Sequence, residues 1–168
     1  MTDAIFTYPY DSPCGRLLLG AFGDQLCLCD WENGWHRSAT EARLKKGLKA
    51  GFVEKDHEVI EMARKQLDEY FSHERQTFDI PLLFVGTDFQ KRVWRALLTI
   101  PYGVTVSYAD IALQIGMPNA VRAVANANGA NAISIFVPCH RVIGSDKSLT
   151  GYGGGLQTKR FLLELESK

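Results

Sequence analysis

An α+β fold is expected from this sequence: a small antiparallel sheet with a packed helix, then a mostly helical C-terminal part with a helix-turn-helix. The front third alternates strand-length apolar runs with turn residues, and apolar positions after residue 56 recur at helical spacing. A capping-box pattern at Thr87-Asp88-Phe89-Gln90 marks a second beginning, which divides the chain into parts 1–85 and 86–168. With 168 residues, 46% of them hydrophobic and 23% charged, the chain is long enough for one large or two small cores and has an ordinary globular composition.

Ile5 to Tyr10, Arg16 to Phe22 and Gln25 to Trp31 read as three strands, joined by turns at Asp11-Ser12-Pro13-Cys14-Gly15 and Gly23-Asp24. Cys27 and Cys29 fall on one face of the third strand, because strand side chains alternate. With His36 they would make a partial metal site, but two buried small apolar residues account for them better, and no metal is expected. Residues 32–55 are polar and read as irregular, with a basic segment from Arg43 to Lys49 that is either a solvated helix face or a loop. From Asp56 onward, Val59, Ile60, Met62, Ala63, Leu67, Tyr70 and Phe71 predict a helix against the sheet, and Phe78 to Leu82 a further short strand.

After the Thr87 cap, a helix turns Phe89, Val93, Trp94, Leu97 and Leu98 inward and stops before Pro101-Tyr102-Gly103. Ser107-Tyr108-Ala109-Asp110 is a second N-cap signature for a helix running through Ile111, Ala112 and Ile115 to Gly116, and Pro118 restarts a helix through Ala127. Helix, tight turn and helix is the pattern in which a second helix is laid into a DNA groove. Ala120, Ala123, Ala125, Ala127 and Gly129 leave little side chain to read base edges. They suit either close approach to a narrow groove or a packed interior of good helix formers. Arg122 is the long cation of that helix, a filler for a gap in a base stack or a partner in a surface ion pair.

The charges support the DNA reading weakly. Residues 1–84 hold 10 Lys+Arg against 14 Asp+Glu, a balance of −4, and residues 85–168 hold 9 against 5, a balance of +4. Met1 to Asp11 lacks the basic-then-apolar pattern of a signal peptide, and no apolar run reaches the roughly 18 residues of a membrane span. A cytoplasmic protein with reduced thiols is expected.

Ile133, Ile135, Phe136 and Val137 read as a short apolar strand leading into Pro138-Cys139-His140-Arg141-Val142, so one thiol ends a buried strand beside an imidazole. The thiolate is the reactive form and needs a base or positive charge nearby. Neighbours on an extended chain point apart, so Cys139 and His140 meet only through a turn or a bridging water.

The segment Pro138-Cys139-His140-Arg141-Val142, with Asn131 before it and Gly151-Tyr152-Gly153-Gly154-Gly155-Leu156 after it, resembles the active-site region of the O6-alkylguanine-DNA alkyltransferases. The resemblance extends back through Val106-Ser107-Tyr108 and Arg122-Ala123-Val124 and forward from Lys159 to Glu166; over the first part it is looser. It implies a ribonuclease-H-like first domain and a DNA-binding, alkyl-acceptor second domain. It further implies that Cys139 takes an alkyl group from O6-alkylguanine in duplex DNA, once per molecule and without a cofactor. His140 would activate it through a water and Glu166 would orient the imidazole. Tyr108 would serve the ring N3, Lys159 would stabilise charge on the leaving base, and Asn131 would brace the helices and the active-site segment.

By the same resemblance Ser107, Ala120, Val121, Arg122, Ala123, Ala127 and Gly129 would meet the minor groove. Val137, Pro138, Tyr152, Gly153, Gly154 and Gly155 would wall the pocket for a flipped base. The protein would act as a monomer. Val121 is larger than the residue the family often carries there, and nothing resembles the family's structural zinc ligands or the extra domain of its adaptive-response regulators. The alternatives are a module that binds lesions without repairing them, against which Cys139 argues, and a cysteine hydrolase, for which Tyr108, Arg122 and Lys159 would be coincidental.

Overall fold

The computed structural model describes residues 4–34 and 36–168; Met1 to Asp3 of the N-terminal segment and Trp35 of the 32–55 segment lie outside them. Strands β1 (Ala4–Ser12), β2 (Gly15–Phe22) and β3 (Gln25–Trp31) form the expected antiparallel meander. A fourth strand, β4 (Gly51–Glu54), joins β1 in parallel, giving the order β3-β2-β1-β4 and making the sheet mixed. Residues 32–55 are therefore not irregular: helix α1 (Arg37–Leu48) crosses over to β4. The helix face open to Arg43–Lys49 is the C-terminal part of α1, whose start the sequence does not show because its charged residues surround it without a clear apolar stripe, and only Thr40 and Leu44 are buried.

Helix α2 (Glu58–Phe71) packs on the sheet through Ile60, Ala63, Leu67 and Tyr70, each fully buried. The register of β2 on β3 shifts between Gly20 and Ala21, which leaves Cys27 without a cross-strand partner. Cys27 and Cys29 are fully buried, and burial pushes the Cys27 thiol up to about 12 and the Cys29 thiol well above the ordinary range. Among the described residues, no three His, Cys, Asp or Glu side chains cluster as a metal site would require.

The free edge of β3 receives two short segments in place of a strand. The Leu26 amide donates to the Pro81 carbonyl at 2.8 Å, and the Leu83 amide to the Leu26 carbonyl at 2.9 Å. Farther along, the Cys29 amide donates to the Ala132 carbonyl and the Ser134 amide to the Cys29 carbonyl, both at 2.8 Å. Phe78 to Leu82 and Ile133 to Val137 are thus bridges rather than strands, and the second run turns at Ile135, whose φ is +73°. These apolar runs supply core without extending far enough to pair. They cover a sheet edge that would otherwise leave backbone groups unpaired, and they tie the C-terminal half to the N-terminal sheet.

Helix α3 (Asp88–Leu97) starts at the capping box. The Gln90 amide donates to Thr87 Oγ1 at 3.1 Å, and the Thr87 amide donates back to Gln90 Oε1 at 2.9 Å. Thr87→Ala removes one side of this exchange; we expect a stability loss of about 1 kcal/mol and a Tm lower by about 2–4 °C, read by calorimetry. Strand β5 (Val106–Ser107) pairs in parallel with β6 (Val142–Ile143), and between them lie α4 (Tyr108–Gln114) and α5 (Val121–Gly129). Pro118 stands in the turn before α5 rather than at its first residue. The closing helix, α6 (Leu156–Glu166), packs on the Cys139–Arg141 turn. No helix among the described residues is long and apolar enough to cross a membrane.

Candidate active site

Cys139 opens a single 3-10 turn, Cys139–Arg141, after Pro138, so the chain is not extended there. The side chain is buried, 4% exposed. Asn131 holds it: Nδ2 donates to Sγ at 3.2 Å and to the Val137 carbonyl at 3.0 Å, while Oδ1 accepts from the Ile133 amide at 3.0 Å. Asn128 adds a bond from its Nδ2 to the Cys139 carbonyl at 3.4 Å. Burial raises the thiol's pKa, and the Asn131 bond and the Lys159 charge pull against that rise. The resting group is a protonated thiol that needs a base.

His140 is fully buried beside it. Its Nε2 lies 2.7 Å from Glu166 Oε2. A carboxylate only accepts, so Nε2 carries the proton, and Nδ1 is left as an acceptor with no hydrogen-bond partner among the described residues. Burial lowers the imidazole's pKa, and the bond to Glu166 partly restores it. A neutral imidazole oriented by a carboxylate is the arrangement of a general base.

Glu166 also accepts from Tyr70 Oη at 2.6 Å, from Arg141 Nε at 2.8 Å and Nη2 at 3.0 Å, and from the Gly103 amide at 3.2 Å. Burial alone would raise this carboxyl, but the bonds from His140, Arg141 and Tyr70 override it and hold it well below the usual carboxylate range. Arg141 spends its remaining Nη1 on the Ile100 carbonyl at 2.6 Å. Neither Tyr70 nor Arg141 stands out as a site residue in the sequence. Arg141 stands inside the Cys139 motif, whereas Tyr70 looks like one more apolar position of α2 until the helix is packed.

Lys159 is fully buried, and Nζ donates to the Val142 carbonyl at 2.6 Å and the Thr150 carbonyl at 2.8 Å. Burial lowers its amine to about 8. Tyr108, half-buried, donates to the same Thr150 carbonyl at 3.2 Å, so both side chains converge on the loop that follows the thiol. Tyr152 turns inward instead, 4% exposed, accepting from Trp31 Nε1 at 3.2 Å. Val137 and Pro138 are buried, and Gly155 is exposed. Gly154 lies so close to Trp31 that an added Cβ would sit 2.9 Å from the indole, which explains why a side chain is missing there. An open cleft of about 420 Å³ beside Tyr108 is bounded by Thr150, Gly151, Asn126 and Gly129, and by His36 from the sheet half.

On α5, Val121, Arg122 and Ala123 are exposed and Ala120 is half-buried, forming an outer face of small residues with one cation. Ala127 belongs to the opposite side: it is 3% exposed and its carbonyl accepts from Trp94 Nε1 at 2.9 Å. Gly129 is half-buried at the end of the helix. Ser107 uses Oγ to cap α4, accepting from the Asp110 amide at 3.0 Å.

Fold and site together bring a buried cysteine, a buried histidine and a carboxylate that holds the imidazole into one turn and the helix packed on it. Two family models match consecutive stretches: "6-O-methylguanine DNA methyltransferase, ribonuclease-like domain" over residues 5–84, and "6-O-methylguanine DNA methyltransferase, DNA binding domain" over residues 88–168. The chain belongs to the 6-O-methylguanine DNA methyltransferase family. It is 51% identical over 157 residues to the methylated-DNA–protein-cysteine methyltransferase of Mycobacterium tuberculosis, covering 93% of this chain and 88% of that protein. The Haemophilus influenzae protein of the same name is 42% identical over 167 residues, covering 99% and 88%. The crystal structure of Mycobacterium tuberculosis OGT in complex with DNA superposes with a TM-score of 0.83 at 46% identity, covering 96% of this chain and 92% of that one.

Proposed function

We propose that this protein repairs DNA by direct reversal, moving a methyl group from O6 of guanine to Cys139 Sγ. The observation that carries the reading is the neutral His140 imidazole, fixed by Glu166 at 2.7 Å and with Nδ1 left without a partner among the described residues, next in sequence to a thiol that Asn131 holds at 3.2 Å. The thiol gives its proton to Nδ1 through a bridging water, and Glu166 stabilises the imidazolium that results. Sulfur then forms its bond to the alkyl carbon as the carbon–O6 bond breaks and Tyr108 Oη gives its proton to ring N3, so guanine leaves neutral. The tyrosinate takes a proton from water, and the imidazolium gives the thiol's proton back to water. Lys159 keeps positive charge close to the departing base while it pins the Thr150 carbonyl. The product is a thioether, which no neighbouring group can hydrolyse, so each molecule acts once.

Residues 1–85 form a scaffold domain and residues 86–168 the DNA-binding, alkyl-acceptor domain. In the latter, α4 and α5 are a helix-turn-helix whose second helix enters the minor groove. Its small outer residues permit close approach, and Arg122 occupies the gap left when the damaged nucleotide is turned out, at a cost of a few kcal/mol. The protein works in the cytoplasm as a monomer. Support comes from the exposed Val121-Arg122-Ala123 face and from the DNA complex of the Mycobacterium tuberculosis relative.

Mixing the protein with an equimolar duplex oligonucleotide bearing one O6-methylguanine tests this. Intact-mass spectrometry with peptide mapping should show a gain of one methylene on Cys139, and consumption should stop at one lesion per protein. Tight binding with no mass gain would indicate a lesion-binding module instead; continued turnover would exclude the single-use scheme.

A further inference from the structure

The cleft beside Tyr108 is not built by the helical half alone. His36, the residue before α1, closes one side of it opposite Gly151. Its backbone carbonyl starts the helix, accepting from the Thr40 amide at 3.0 Å. A Cβ added at Gly129 would lie 3.3 Å from His36 Nε2, so the imidazole rests against the last residue of α5 and depends on the glycine for room.

The position of His36 is fixed from behind. Arg43, two turns farther along α1, donates from Nη2 to the Ala130 carbonyl at 2.7 Å, just past the end of α5, and lies 5.6 Å over the Trp94 ring of α3. Arg43 thereby staples α1 to the helical half near the cleft. Burial, and then the Arg43 charge, lower the imidazole's pKa, so at neutral pH it presents an uncharged plane to the cleft.

We propose that His36 is a specificity-determining residue: a wall contributed by the sheet half that limits the size of the alkylated base the cleft admits. The ring packs close to Gly129 and narrows one side of the cleft, so a bulkier adduct meets it where a methyl-bearing base does not. This gives the sheet half a function in substrate selection beyond scaffolding.

The inference rests on the alkyl-transfer reading, and its test keeps the two apart. Single-turnover transfer rates would be measured for duplexes carrying O6-methylguanine or O6-benzylguanine, using the wild type, His36→Ala and His36→Phe, with Tm recorded for each. His36→Ala should raise the benzyl-to-methyl rate ratio at least fivefold, and His36→Phe should lower it by a similar factor; a general loosening of the fold would slow both substrates together. A ratio within twofold of wild type in a variant that keeps the wild-type Tm overturns the proposal. A wild type that transfers neither group overturns the alkyl-transfer reading, and this inference falls with it.

Discussion

Cys139→Ser is expected to take up no alkyl group at all while still holding the damaged duplex. Serine is slightly smaller than cysteine and fits the same buried position, and its hydroxyl can keep the bond from Asn131 Nδ2. The fold should therefore survive, with a Tm within a few degrees of wild type. Its chemistry does not survive. A neutral hydroxyl is a poor nucleophile toward an alkyl carbon, and His140, whose pKa burial already lowers, is far too weak a base to ionise it. Intact-mass spectra should show no methylene gain after incubations many times longer than wild type needs. Gel-shift measurements should still report binding to the O6-methylguanine duplex. A variant that gains mass at residue 139 would exclude the thiolate as the reacting species; one that gains mass elsewhere would move the acceptor.

What the sequence discloses about this site depends on how local each cause is. The thiol and the imidazole sit in one five-residue run, and the capping boxes at Thr87 and Ser107 need only four residues each, so they are readable directly. The strands β1 to β3 are legible for the same reason, because alternation and turn residues act over short range. Helix α1 lacks an apolar stripe and β4 is only four residues long, so neither leaves a pattern strong enough to see. Ile133 to Val137 misleads in the other direction: its composition is that of a strand, but the positive φ at Ile135 turns it after two bonds to Cys29. Tyr70 is beyond reach as a site residue, and His36 is legible only as a companion to Cys27 and Cys29, since each reaches this site only when the sheet half meets the helical half. Tyr152, expected at the pocket wall, is buried and accepts from Trp31 Nε1.

Glu166→Gln should damage both activity and stability, because the carboxylate answers buried donors from three separate parts of the chain. Tyr70 reaches it from α2, Gly103 from the turn after α3, and His140 and Arg141 from the thiol's own turn. A glutamine side chain offers one acceptor oxygen and an NH₂ that can only donate, so at least one donor faces another donor. The guanidinium of Arg141 would then be buried without its counter-charge. Removing one partner of such a pair costs about 3–5 kcal/mol, and at about 2–4 °C per kcal/mol for a chain of this size the Tm should fall by roughly 10 °C. Loss of the orienting carboxylate should slow transfer by at least about 100-fold. Tyr70→Phe, which deletes one donor and leaves the charge pair intact, should cost only about 1.5–3 kcal/mol.

The pH dependence of stability carries the same signature with a definite sign. Glu166 has a folded pKa held below its ordinary 4.5, so its contribution is complete above that pH and is lost as pH falls beneath it. His140, lowered from 6.5, acts in the same direction, since below pH 6.5 the unfolded chain binds a proton that the native imidazole resists. Asp30 opposes them: burial raises it from 3.8 to about 6, so its contribution declines as pH rises through that interval. Wild type should therefore lose stability on acidification below about pH 6.5, with Asp30 offsetting part of the loss, and more steeply below pH 4.5. In Glu166→Gln the steep limb below pH 4.5 should flatten, because the group that titrates there is gone. Denaturant melts at stepped pH would read the difference directly. An unchanged acid limb in the variant would show that the network around Glu166 is not what makes the native fold acid-labile.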